Sequence, residues 1–468
     1  MAQEADPPVP LPVADPSSAQ PRAEVTMSAR DDAVLPGARQ SLGLLVLINL
    51  FNYIDRQVLS AVEPEIRRHY LSPDSAGSDF WLEINDNPKF WTGCLAMAFL
   101  VCYMLFSPLF GWLADRYSRW LLIGVGVGIW SLASGASGLA HTFSLMFLTR
   151  CFVGFGEAAY GPVAPTVISD LYPISRRGSV LAWFYAAIPV GSALGYVLGA
   201  SVKTTLGWEW AFFLVVPPGL ALAAACFFMR EAPRGKADRL SVSSQPATAS
   251  RLSASSQPAA ASRYIVLLRT PSYILCSAGM TAMTFALGGL AWWMPAYLEE
   301  YRGLPSSAVT VFGVIIVVTG LGATLAGGIA GDALKTRFSG SYFLVSGIAM
   351  LLAFPFIALF LYVDFPFAWV PLTLAVFCLF FNTGPTNTIL ANVTHPSIRA
   401  SAFAINIFVI HLFGDVISPP ILGALIGKEN HYDFAFLVIG TLVLVGGGFW
   451  LWGSRFLEAD TRLAPSRF

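Results

Sequence analysis

Twelve stretches of this chain are each long and apolar enough to cross a lipid bilayer, which excludes almost every soluble architecture. A spanning helix needs about 20 mostly apolar residues. Such runs fall at approximately 41–62, 90–113, 120–140, 145–169, 179–200, 211–229, 272–298, 308–331, 341–362, 368–391, 400–426 and 434–454. Membrane barrels instead show short segments of alternating polarity, and these continuous runs do not. Composition agrees: 55% of the 468 residues are hydrophobic and only 12% are charged, against about 25% charged in soluble domains. The expected fold is all-α and integral to the membrane, with 12 transmembrane helices.

Charge fixes the orientation. Of the 28 Lys and Arg residues, 20 fall on the side that holds both chain ends, 6 on the other side, and Arg56 and Arg150 within spans. Cytoplasmic loops retain positive charge, so both termini are expected in the cytoplasm. The opening MAQEADPPVP has no basic segment followed by an apolar one, which argues against a cleaved signal peptide. The 28 basic and 28 acidic side chains cancel, leaving no bulk positive field for a nucleic-acid partner. All six cysteines lie in apolar runs without a CxxC pair, so neither a disulfide framework nor a zinc site is expected.

Residues 1–40, rich in Pro and Ala, read as a disordered cytoplasmic tail. The longest loop, 230–263, separates six spans from six and contains RLSVSSQPATAS (239–250) followed by RLSASSQPAAAS (251–262). Such a tandem Ser/Pro/Ala repeat cannot bury a core and reads as a flexible linker. The expected organisation is a six-helix bundle over 41–229, the linker, a second bundle over 264–456, and a cytoplasmic tail over 457–468.

The two bundles repeat each other. Gly111-Trp-Leu-Ala-Asp115-Arg116-Tyr-Ser-Arg119 after span 2 is matched by Gly327-Gly-Ile-Ala-Gly331-Asp332, then Lys335 and Arg337, after span 8. Pro173 and Arg177 after span 4 are matched by Pro396 and Arg399 after span 10. Paired halves with matching loops mark alternating-access carriers whose site lies between the halves.

Five ionised side chains sit inside spans: Asp55, Arg56, Arg150, Glu157 and Asp415. Each costs about 2.5–3.5 kcal/mol to insert, so such residues are functional by default. Arg56 and Arg150 are expected to attract an anionic head group, since Arg offers two parallel donors to a phosphate. Asp55 and Glu157 are the expected proton-coupling acids. His411 and Asp415 are four residues apart on one helix face, too few ligands for a metal, and are assigned a proton or gating role. Asn52, Tyr53, Tyr160 and Tyr185 add polarity to the first half, whereas Thr284, Trp292 and their aromatic neighbours make the second half largely apolar. One polar wall and one apolar wall suit an amphiphile. Gly191, Gly195 and Gly199 recur every four residues, a spacing that lets membrane helices approach closely. The five histidines are scattered, so no enzyme is expected, and no cofactor or metal.

The Gly111–Arg119 loop resembles the signature of the major facilitator superfamily. The segments NLFNYIDRQ (49–57), RCFVGFGEAAYGPVAPTVISDLY (150–172), FYAAIPVGSALGYVLGASVK (184–203) and HLFGDVISP (411–419) are similar to the Spinster family of lysolipid and sphingosine-1-phosphate transporters. The resemblance spans nearly all of 41–455. It implies a monomeric, proton-coupled transporter of an anionic or zwitterionic lipid in contact with membrane lipids, with a small organic anion as the alternative cargo. It also implies a latch of Asp115, Arg116, Arg119 and Asp170, echoed by Asp332 and Arg337. Compact inner loops point to a bacterial inner membrane. The acidic first outer loop, 63–89, and the duplicated linker depart from the family pattern.

Overall fold

The computed structural model describes residues 35–72, 87–172, 174–231, 265–395 and 398–464, and their regular structure is helical. Within a bilayer a helix satisfies its own backbone polar groups, so each apolar run folds this way. The first half comprises α1 (Ala38–Ala61), α2 (Glu63–Leu71), α3 (Pro88–Ala114), α4 (Arg119–Gly138), α5 (Phe143–Ala158), α6 (Ala164–Leu171), α7 (Ile174–Thr205), α8 (Glu209–Phe213) and α9 (Val216–Phe227). The second comprises α10 (Pro271–Ala296), α11 (Ser307–Lys335), α12 (Ser341–Tyr362), α13 (Trp369–Phe380), α14 (Thr383–Val393), α15 (Arg399–Ile410), α16 (Ser418–Ile426), α17 (Tyr432–Gly453) and α18 (Leu457–Leu463). Side-chain caps start several of them: Asn87, Ser118 and Thr142 each accept from the backbone N–H three residues on, at 3.2, 3.4 and 3.2 Å.

Among the described residues, eleven helical segments are long and apolar enough to cross a membrane. The twelfth run, expected over 145–169, is divided between α5 and α6. Pro162 brings no N–H to the helical ladder, and the N–H groups of Tyr160 and Gly161 both turn back to the Glu157 carbonyl, at 2.9 and 3.0 Å. Span 11 is interrupted differently, by a π turn at His411–Asp415 between α15 and α16. A second π turn, Tyr297–Tyr301, extends α10.

Three expected non-helical segments differ from the sequence reading. α1 begins at Ala38, inside the expected tail. The first loop contains α2, because Ile66 and Tyr70, one turn apart, bury themselves and the Tyr70 hydroxyl donates to the Ala140 carbonyl at 2.6 Å. Within 457–468, α18 docks on the start of α10: Leu457 is buried and Asp460 accepts from the Ser272 N–H at 2.9 Å. The linker repeat lies outside the described residues.

α1 and α7 pack along their length. A Cβ at Gly195 would stand 2.5 Å from the Ile54 carbonyl, so the glycine stripe sets that distance. The halves meet chiefly toward the face opposite the termini, termed here the far face. There α3 crosses α16, with a Cβ at Gly93 falling 2.6 Å from the Pro419 backbone. The Ser60 hydroxyl on α1 donates to the carbonyls of Ala291 and Trp292 on α10, at 2.8 and 2.9 Å. The Tyr196 hydroxyl on α7 reaches Ala291 as well, at 2.6 Å.

Candidate transport cavity

Between the halves lies a cavity of about 290 Å³. Its first-half wall carries Tyr53, Asp55, Arg56 and Arg150, and its second-half wall Leu290, Trp292, Phe312, Ile316, Phe380, His411 and Asp415. The first-half wall also includes Leu59, Ala96, Phe99, Leu100 and Val153, so the expected division into a polar and an apolar wall is partial: the Arg side chains are confined to the first half, and the His–Asp pair is the polar part of the second.

Arg56 grips Glu157 through two donors, Nη2 at 2.5 Å and Nε at 3.0 Å from one carboxylate oxygen. The rings of Tyr53, Phe99 and Tyr103 surround its guanidinium, with centroids at 4.8, 4.7 and 5.8 Å. Such rings stabilise a cation where water is scarce. Neighbouring residues on a helix point in different directions, so Asp55 turns away and accepts from the Ser134 hydroxyl on α4. Arg150 donates to Ser137 and lies over Phe212, 5.2 Å from its centroid. Arg150 and Asp55 are each only 2% exposed.

Hydrogen bonding here is incomplete. Asp55 Oδ2, Glu157 Oε1, Asn52 Nδ2, Arg150 Nε and Trp292 Nε1 are buried without a partner. Unmet buried polar atoms cost about 1–3 kcal/mol each; of these five, Asp55, Arg150 and Trp292 belong to the cavity lining and leave an acceptor and two donors for a ligand or water. On the opposite wall, His411 Nδ1 lies 2.9 Å from both oxygens of Asp415. The pair spans the π turn, and the Ile410 carbonyl at its start accepts from the Thr284 hydroxyl at 2.9 Å.

Four expected substrate contacts lie elsewhere. Thr284 is committed to that carbonyl. Tyr160 is buried, donates to the Leu45 carbonyl at 2.9 Å and packs edge-on against Trp130. Asn52 is buried outside the lining, and Tyr185 is half-exposed beside Phe184. Glu157 also stands behind the lining, reached through Arg56.

At the terminal face, Arg119 pairs with Asp170 at 2.5 Å and with Glu231 at 2.7 Å. Glu231, which sequence reasoning missed, also accepts from Ser118 and from the Arg119 N–H, at 2.9 and 3.0 Å. It completes the anionic cap of α4, and its position just after span 6 was the available signal. Arg116 stacks on Trp112 and donates to that residue's carbonyl at 3.1 Å. In the second half, Asp332 accepts from Tyr342 at 2.6 Å, while Arg337 stands exposed past the end of α11. Asp115 caps the C-terminus of α3.

Two bundles enclosing a partly unsatisfied ionic cavity, sealed at one face, define a multi-pass membrane transporter. Residues 45–419 match the Major Facilitator Superfamily. Protein spinster homolog 1 of Homo sapiens is 32% identical over 461 residues, covering 90% of this chain and 82% of the relative. The sphingosine-1-phosphate transporter SPNS2 of Mus musculus is 30% identical over 458 residues, covering 91% and 78%. Among solved structures, a bacterial homolog to the human lysosomal transporter Spinster, inward-facing and occupied, superposes with a TM-score of 0.72 at 20% identity, covering 92% and 99%. A D-xylose–proton symporter gives 0.66 at 17% identity, covering 87% and 96%. The chain belongs to the Spinster family of the major facilitator superfamily.

Proposed function

We propose that this protein carries an amphiphilic, anionic or zwitterionic lipid across a membrane by proton-coupled alternating access. The observation that carries the reading is the pair Arg56 and Arg150 in the wall of a cavity whose opposite wall is mostly apolar. A phosphate head would engage the guanidiniums and a chain would lie along Leu290, Phe312, Ile316 and Phe380. Relatives named as Spinster homologs and as a sphingosine-1-phosphate transporter support the same cargo class.

Coupling would run through Glu157. Its carboxylate holds Arg56, so an arriving phosphate competes with it for that guanidinium. Release of Arg56 leaves Glu157 to take up a proton, and loss of the proton restores the pair. Asp55 and the His411–Asp415 pair are further candidates for proton exchange. With the termini in the cytoplasm of a bacterial cell, the sealed far face is the outer one and the arrangement is inward-facing.

The test is reconstitution into liposomes with a fluorescent lysophospholipid. Long-chain lysolipids should compete for uptake and short organic anions should not, the reverse result favouring a small-anion carrier. Glu157→Gln should abolish substrate-dependent proton movement, and undiminished pH-dependent transport would remove Glu157 from the coupling role.

A further inference from the structure

We propose that the far face carries a second anion site, a basic vestibule that takes a phosphate group in competition with Glu300 and so loosens the seal between the halves. It lies apart from the central cavity and does not depend on the cargo proposed above.

The vestibule encloses about 480 Å³ where α2, the start of α3 and the π turn after α10 meet the loop following α16. Among the described residues, its wall holds four cations, Arg67, Arg68, Lys89 and Lys428, against one carboxylate, Glu300. Two acids of α2 stand just behind that wall and share its arginines, Glu63 with Arg67 and Glu65 with Arg68 at 3.5 Å. Glu63 is 1% exposed and accepts from Arg67 Nε at 2.9 Å and from Thr92 at 2.6 Å. Glu65 lies 3.4 Å from Lys203 on α7, which also pairs with Glu299 at 2.5 Å. Lys89 is only 4% exposed, yet it is held in place by the Gly427 carbonyl and the Asn430 side chain, at 2.8 and 2.7 Å. A buried ammonium fixed in this way serves as a preorganised donor.

Glu300 shows where an anion would sit. Its two oxygens are divided between two arginines, Oε2 to Arg67 and Oε1 to Arg68 at 2.9 Å. It comes from the second half and both arginines come from the first, so this one carboxylate bridges the halves. A phosphate offers more acceptor oxygens and up to twice the charge, and guanidiniums bind it through paired donors. Once it occupies Arg67 and Arg68, Glu300 loses its partners and the bridge is released. A ligand shifts such an equilibrium only by its difference in affinity for the two states. Here that difference comes from the opened state, in which Glu300 no longer competes.

The test uses the full chain in lipid nanodiscs with a Ser60→Cys reporter on the far-face seam, labelled by a membrane-impermeant maleimide. Inorganic phosphate, and separately nanodiscs containing a monoacylglycerol phosphate or the uncharged monoacylglycerol, are the probes. Labelling should rise with the phosphate-bearing probe; a response to inorganic phosphate alone identifies a free anion, and a response only to the lipid identifies a head group. Arg68→Gln with Lys428→Gln should weaken the response about tenfold or more, as expected for losing two cationic contacts. Glu300→Gln should strengthen it by removing the internal competitor. Arg68 is well exposed at 61% of its side chain, so its loss leaves folding intact, and opposite signs for the two changes separate binding from general destabilisation. No response to either phosphate probe, or a response that Arg56→Met in the central cavity abolishes while Arg68→Gln leaves it intact, would overturn the proposal.

Discussion

The far and terminal faces use ions in opposite ways. At the far face, the described ion pairs Arg67–Glu300, Arg68–Glu300 and Lys203–Glu299 join one half to the other. At the terminal face, Arg119–Asp170 and Arg119–Glu231 stay within the first half and the start of the linker. Only bonds that cross the seam must break when the halves separate. Among the described residues, the ionic part of what holds the halves together therefore resides at the far face, and the terminal-face pairs keep one half's helix ends in register.

The largest effect should come from Lys203→Met. The Lys203 side chain is buried, donates to the Ala61 carbonyl at 3.0 Å and neutralises Glu299 across the seam. Stranding one member of a buried pair costs about 3–5 kcal/mol, so far-side maleimide labelling of Ser60→Cys should rise by about a hundredfold or more. Next is Gly93→Ala, whose added carbon would meet the Pro419 backbone at 2.6 Å. Overpacking of about 1–3 kcal/mol should open the α3–α16 contact and raise the same labelling about tenfold. Asp170→Asn sharpens the comparison: it should lower the melting temperature in detergent while changing far-side labelling by less than about twofold, since its roughly 1–2 kcal/mol belongs to one half. A large labelling change there would erase the distinction between the faces.

The smallest effect concerns pH. Burial, assisted by Glu299 and opposed by Lys203, holds Glu65 above its ordinary value of 4.5. The sealed form therefore binds a proton more readily than an opened form in which Glu65 is solvated. Acidification of the far side from neutral toward pH 4.5 should favour the seal through this group, and the gain should level off below that value once both forms are protonated. Labelling should fall modestly with acid, and Glu65→Gln should remove that component.

The spans and the buried ions were legible because a charge inside an apolar run is costly and rare. Asp55, Arg56, Arg150, His411 and Asp415 all stand in the cavity wall. What each ion would hold was not legible, since Ser134, Ser137 and Phe212 lie on other helices and nothing local encodes those meetings. Tyr160 and Tyr185 show the limit of reading polarity in membrane helices: apolar residues occupy every face, so periodicity does not say which face looks inward. The break after Glu157 was signalled by Gly161-Pro162 but was hidden inside a continuous hydropathy run. α2 was hidden by its charge, although Ile66 and Tyr70 at helical spacing could have revealed it. The π turn at His411 has no comparable signal, because one extra residue in a turn leaves composition unchanged.

The division of span 4 places a joint between two working groups. Glu157 lies in the last turn of α5 and Asp170 in the last turn of α6, with Ala159 to Val163 between the helices. A single straight rod would pass any tilt at the Arg56 contact directly to the terminal-face clasp on Arg119. Two shorter helices joined by the turns of Ala159 to Val163 give such a tilt a place to be taken up before it reaches that clasp.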